Sequence, residues 1–115
     1  MVARGYVPDA GDVVWVDFMP QVGHEQSGRR PAVVLSPRIY NEKASLAVLC
    51  PVTSHVKGYP FEVELPAGLS LRGVILADQL NGLDWRKRRA EKLAKLPPAV
   101  LDQVRARVAV LLGLS

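Results

Sequence analysis

The sequence predicts a mainly β fold, a small curled antiparallel sheet or barrel with one helix packed against it at the C-terminal end. Three observations carry this expectation. Short runs rich in Val, Ile and Leu recur along the chain, broken by Gly and Pro. From Pro98 onward the apolar spacing changes to that of one helix face. The length of 115 residues, 49% of them hydrophobic and 23% charged, suits one packed domain over residues 1–115 and leaves no room for a second.

The elements follow in order. Val13-Val14-Trp15-Val16-Asp17-Phe18 reads as a first strand, bounded by Gly11 and Pro20. Between Met19 and Pro31 lie Gly23, Gly28 and few apolar residues, a loop long enough that a functional role is its default reading. Pro31 to Ser36 forms a second strand, ended by Pro37. Leu46 to Val52 forms a third, too apolar to alternate and therefore expected to be buried on both faces. Phe61 to Leu65 alternates, with Phe61, Val63 and Leu65 towards the core and Glu62 and Glu64 towards water. Gly73 to Ala77 is a fifth strand. Val100, Leu101, Val104, Val108, Leu111 and Leu112 share one helical stripe, with Pro98 in the first turn and Gly113 at the end.

Charge and cysteine content bound the function classes. Fifteen Lys and Arg against 11 Asp and Glu leave a net charge of +4, which permits a polyanionic partner without requiring one. Arg86, Lys87, Arg88, Arg89, Lys92 and Lys95 face the single acid Glu91 in their run, which reads as a nucleic-acid footprint, a surface for an acidic peptide, or a solvated ribbon. The lone Cys50 has no partner for an internal disulfide or a thiolate metal site. Met1 to Ala10 lacks the apolar run of a signal peptide, and no segment approaches the ~20 apolar residues that span a bilayer, so no membrane role is expected.

Two segments concentrate chemistry. The loop Gly23-His24-Glu25-Gln26-Ser27-Gly28-Arg29-Arg30-Pro31 combines an acid, an imidazole and two guanidiniums. It reads either as a holder for a phosphate diester or as a polar surface loop. His24-Glu25 lacks the second histidine of the His-Glu-x-x-His zinc motif, having Ser27 and Gly28 instead, and His55 is remote in sequence; no metal is expected. Pro51 to Gly58 offers Thr53, Ser54, His55 and Lys57 at a strand exit, groups that bind phosphate or simply satisfy the turn backbone. No Ser-His-Asp arrangement is supported by the spacing, so a nucleophilic hydrolase is not expected.

Five blocks together resemble one family. They are Gly11-Asp12-Val13-Val14-Trp15-Val16-Asp17-Phe18, Glu25 to Pro37, Lys57 to Val63, Ala77-Asp78-Gln79, and Trp85-Arg86. In this order and spacing they closely resemble the MazF/PemK toxins. The resemblance implies an SH3-like β-barrel of the MazF/PemK/CcdB type with a C-terminal helix, forming a homodimer whose interface shapes an RNA groove. It implies a bacterial, cytoplasmic, ribosome-independent endoribonuclease that cuts single-stranded mRNA at specific sequences. No metal or cofactor takes part, and the ends are a 2′,3′-cyclic phosphate and a 5′-hydroxyl. It also implies a MazE-like antitoxin whose acidic C-terminal tail blocks the groove, with the basic run from Arg86 as a possible contact. By position, Arg30 and Thr53 take the family's catalytic places and Glu25 that of a loop glutamate suited to act as base. Asp17, Phe18, His24, Lys57, Asp78 and Gln79 match the RNA groove, with His24 and His55 as alternative bases. Pro66 to Leu71 is apolar where the family has a polar turn, and Val52, Ser54 and His55 alter the surroundings of Thr53; both departures bear on base preference. Two rivals keep the barrel. A CcdB-like gyrase poison needs a tryptophan near the end of the last helix, absent from Val110 to Ser115. A non-catalytic RNA-binding SH3-like module would bind RNA without cutting it.

Overall fold

The computed structural model describes residues 5–18 and 28–114. Along the chain run β1 (Asp12–Asp17), β2 (Arg29–Val34), α1 (Arg38–Ala44), β3 (Ala47–Thr53), β4 (Glu62–Glu64), β5 (Val74–Leu76), β6 (Asn81–Leu83), β7 (Glu91–Lys95) and α2 (Pro98–Leu111). The pairings are antiparallel. The sheet runs β4-β5-β3-β2-β1-β7, with β6 paired to β3 beside this path. It curls without closing, since β4 and β7 end the path and do not pair with each other.

Strand β3 is the axis of the curl. Along one edge it pairs with β2, at Ala32↔Pro51, Val33↔Cys50 and Val34↔Leu49. Along the other edge it pairs first with β6, at Ala47 to Leu49, and then with β5, at Val52 and Thr53. Leu35 donates its N–H to the Val48 carbonyl at 2.8 Å, so even-numbered residues of β3 point their backbone groups at β2 and odd-numbered ones at the opposite edge. The N–H that Pro51 lacks therefore falls in the gap between the two ladders, where no bond is made. A proline inside a central strand costs nothing there, and the strand changes partners at it.

Each face of the sheet carries its own core. Val13, Val33, Cys50, Val52, Val63, Ile75 and Leu96 face α2, which contributes the buried Leu101 and Val104. Val14, Val16, Ala32, Val34, Ala47 and Leu49 face Leu83, Trp85 and Ala90. Because every β3 face is covered, the strand reads as a continuous apolar run, as its sequence suggests. Leu69 and Leu71, in the apolar turn before β5, fold back onto the first core. The stripe on α2 outruns the sheet, so that Leu111 and Leu112 are exposed.

Three elements were not visible in the sequence pattern. Helix α1 has no side-chain cap, and Pro37, read there as a strand terminator, is its N-cap. The helix is anchored by Asn41, which is fully buried. Its Nδ2 donates to the carbonyls of Pro8 and Ser36 at 2.8 and 2.9 Å, and its Oδ1 accepts the Ser36 hydroxyl at 2.6 Å. Its carbonyl accepts the Trp85 indole N–H at 2.8 Å. Strands β6 and β7 are short or charged, and hold through pairing with β3 and β1. Asn41→Ala should cost about 2 kcal/mol or more, because it strips partners from several buried polar groups at once. A lower urea midpoint at unchanged slope is the expected reading.

Candidate active site

Arg29 and Arg30 open β2, and neighbouring residues of a strand point to opposite faces. Arg29 stands opposite Asp17, and its Nη1 meets Asp17 Oδ1 at 3.0 Å. Its Nη2 meets Glu91 Oε1 and the Arg89 carbonyl, both at 2.9 Å. Arg89 closes the network, with Nε 2.9 Å from Asp17 Oδ2. The Arg89 hydrogen bond, joined by that of Arg29 and opposed by partial burial, holds the Asp17 carboxyl below the usual carboxylate range. Arg29 is thus a clamp between β1, β2 and β7, and not part of one phosphate groove with Arg30.

Arg30 points the other way. It is exposed, pairs through its backbone with Val16 of β1, and its side chain has no hydrogen bond or ion pair among the described residues. The last β2–β3 pair is Ala32↔Pro51, so Arg30 and Thr53 each lie two residues beyond it, at the same end of two adjacent strands. Thr53 Oγ1 accepts the His55 N–H at 3.1 Å, which leaves the hydroxyl proton available for an incoming oxygen. Thr53 pairs in turn with Val74, and Val74 with Glu64. Thr53, Val74 and Glu64 therefore form one row across three strands that ends in solvent, and Val16 and Arg30 a second row that begins in the second core.

Gly73 fixes the end of this row. Its φ is +136°, and a Cβ there would lie 2.2 Å from the Thr53 carbonyl oxygen. No side chain fits, so the backbone of the preceding turn lies directly against Thr53.

The other expected site residues are distributed as follows. Phe18 is half-buried against the second core, and its N–H donates to Gly28 at 2.7 Å. Lys57 is exposed, and its N–H and that of Gly58 are held by the Glu62 carboxylate at 3.0 and 2.8 Å. Asp78 follows β5; its Oδ2 accepts the Tyr59 hydroxyl at 2.6 Å, while the buried Oδ1 has no hydrogen-bond partner among the described residues. This bond raises the Tyr59 pKa. Gln79 is exposed beside it. His55 is exposed at the exit of β3. His24 and Glu25 lie outside the described residues. Cys50 is buried and free, and burial pushes its thiol up to about 12, which makes it unreactive at neutral pH.

The basic run from Arg86 to Lys95 is largely used within the chain. Arg86 stacks on Trp85 at 4.2 Å and donates to the Ser45 hydroxyl, and Arg88 donates to the carbonyls of Asp17 and Phe18. Lys95 lies 3.2 Å from the buried carboxylate of Asp12, and Lys92 3.7 Å from it. The two acids of the first strand thus neutralise much of a run that sequence alone presents as a separate cationic surface.

A small curled β sheet with a C-terminal helix, carrying an exposed arginine and a threonine at the same end of adjacent strands, matches a known toxin family. Residues 9–112 match the family described as PemK-like, MazF-like toxin of type II toxin-antitoxin system, and the chain belongs to it. It is 50% identical over 113 residues to the endoribonuclease toxin MazF of Escherichia coli strain K12, covering 98% of this chain and all of that one. A crystal structure of MazF from Deinococcus radiodurans superimposes with a TM-score of 0.86 at 61% identity, covering 94% of this chain and 98% of that chain. A MazE-MazF complex from the same organism gives 0.84 at 54% identity, over 96% and 100%. The match favours neither the gyrase-poison reading nor the binding-module reading.

Two expectations follow from this geometry. Gly73→Ala should lower stability by about 2 kcal/mol or more and loosen the end of β3; faster amide exchange at Ser54 and His55 checks it. Asp17 titrates lower in the folded chain than in the unfolded one, so its contribution is complete above about pH 4 and fades as acid protonates it. Asp17→Asn should then cost roughly 1–2 kcal/mol at pH 7, and urea titrations should show this deficit shrinking below pH 4.

Proposed function

We propose that the chain is the endoribonuclease toxin of a type II toxin–antitoxin pair, cutting single-stranded mRNA with Arg30 and Thr53 as catalytic residues. The observation that carries the reading is an unpaired Arg30 guanidinium at the start of β2 and Thr53 at the end of the adjacent β3, in a chain half identical to an endoribonuclease toxin. The RNA 2′-hydroxyl supplies the nucleophile, so DNA is not a substrate. Its oxygen bonds to the adjacent phosphorus as the bond from phosphorus to the 5′-oxygen breaks, leaving a 2′,3′-cyclic phosphate and a 5′-hydroxyl. Arg30, charged at any physiological pH, stabilises the charge that develops on the phosphoryl oxygens and donates a hydrogen bond towards the leaving oxygen, which takes up a proton. Thr53 donates its hydroxyl to a non-bridging oxygen. Glu25 is the base that takes the 2′-hydroxyl proton, since a guanidinium cannot. Asp17, Phe18, His24, Lys57, Asp78 and Gln79 bind the RNA strand.

The reading includes a homodimer and a MazE-like antitoxin with an acidic C-terminal tail. Solved MazE-MazF complexes of similar chains support the antitoxin, and the exposed Trp15, Val110, Leu111 and Leu112 suit burial by a second protein surface. The bacterial cytoplasm is the compartment where such a substrate is found. Among the described residues no helix is long and apolar enough to cross a membrane.

The purified chain should cut a single-stranded RNA in the presence of EDTA and leave its all-deoxy counterpart intact. Arg30→Ala and Thr53→Val should each lower the rate by ~10²–10³-fold while leaving the protein folded. Intact RNA with folded wild-type protein would reject the function, and a strict requirement for Mg²⁺ would reject the mechanism.

A further inference from the structure

One turn late in the chain holds the end of β1 and the start of β2 together. Residues 85–89 form it, anchored by Trp85 and Ala90, which are buried in the second core, and by the Trp85 indole bonded to Asn41. From this base the Arg88 carbonyl accepts the Asp17 N–H at 2.9 Å, and Arg88 Nη1 donates to the carbonyls of Asp17 and Phe18. On the β2 side, Arg29 Nη2 donates to the Arg89 carbonyl and to Glu91. Arg89 joins the two sides through Asp17, which accepts its Nε at 2.9 Å and its Nη2 at 3.3 Å while also accepting Arg29 Nη1.

Arg89 is the unexpected member of this set. Its φ is +55°, in the left-handed region where glycine and asparagine are the favoured occupants. Its side chain is 71% exposed and adds nothing to the core. A chain that needed only the turn would do better with glycine at this position. The guanidinium is instead held in place by two hydrogen bonds to a carboxylate that is itself only 28% exposed. Local strain of this kind collects at sites whose geometry matters. The residue that Arg89 and Asp17 fix is Arg29, the first of β2, and the next residue is Arg30.

We propose that residues 88–91 form a clasp that sets the reactive end of β2, with Arg89 as a positioning residue for Arg30. The inference rests on the ribonuclease reading and adds to it a group that acts through the backbone of Arg30 and not on the RNA. The Arg30 side chain has no partner among the described residues, so the backbone beneath it is what aims it. A misplacement of about 1 Å in a group that meets the reacting phosphate costs up to ~10²-fold in rate. Without the Arg89 guanidinium, Arg29 keeps Glu91 and one oxygen of Asp17, so the clasp loosens without opening.

The test measures kcat and KM separately for the wild type, Arg89→Asn and Arg89→Lys on one single-stranded RNA, with urea titrations alongside. Asparagine is at ease in the left-handed region and keeps the carbonyl that Arg29 uses, so this variant should fold. Its kcat should fall about tenfold with KM changed less than about twofold. Arg89→Lys keeps the charge without the planar fork and should fall between the two. A raised KM at unchanged kcat would make Arg89 an RNA contact, and lower stability with both constants unchanged would make it structural only; either result overturns the proposal. Should the folded wild type fail to cut, the ribonuclease reading fails and amide exchange decides the clasp. A faster-exchanging Phe18 N–H in Arg89→Asn, with amides at the centre of β2 unchanged, upholds it, and an equal rate overturns it.

Discussion

Strand β3 exchanges hydrogen bonds with β2 along one edge and with two different strands along the other, and Pro51 sits where that second edge changes partners. A strand carrying a proline cannot keep an unbroken ladder on both sides. Here the missing donor coincides with the turn of the sheet from β6 to β5, which bends it around its first core. The same bend carries Thr53 beyond the apolar centre to the rim, where β2 delivers Arg30 from the other side. Position of the site and curvature of the sheet are therefore one geometric fact.

The sheet assigns opposite tasks to residues that look alike in sequence. Arg29 and Arg30 are adjacent and chemically identical, yet one joins three strands through Asp17, Glu91 and the Arg89 carbonyl, and the other is unpaired. Asp12 and Asp17 likewise resemble candidate site acids, but each is surrounded by cations from the β7 region. Pairing with these acids thereby neutralises Arg89, Lys92 and Lys95, half of the basic run. Of the exposed cations without a side-chain partner among the described residues, Arg30, Lys57 and Arg72 lie around the start of β2 and the segments that follow β3 and precede β5, while Arg38, Lys43, Lys87 and Arg105 lie elsewhere.

Much of this was legible in the residues. The strands that carry the core announced themselves by apolar runs, and α2 by its period, because burial on a face leaves a pattern in sequence. Helix α1 left none: its stability comes from the single buried Asn41, whose partners are remote in sequence. Strand β7 was hidden by its lysines, which are stabilised by an acid some eighty positions away. Arg30 and Thr53 could be marked by family pattern, but their placement at the same end of adjacent strands depends on a register that only pairing reveals.

The two arginines also raise the question of what prevents β2 from sliding by one position. A slip would put Arg29 in the place of Arg30, Gly28 in the place of Arg29 and Val33 in the place of Val34, leaving Asp17 and Glu91 without their guanidinium. Pro31 adds a second opposition, in the backbone. With Leu35 bonded to β3, odd residues of β2 direct their backbone groups to β3, so the N–H that Pro31 lacks points past the last pair of that ladder. Moved by one position, the imino acid would face β1, whose ladder runs the full length of β2 and needs a donor there. A residue with no functional group at all thus acts as an indexing pin that helps decide which of two identical side chains is clamped and which is left exposed.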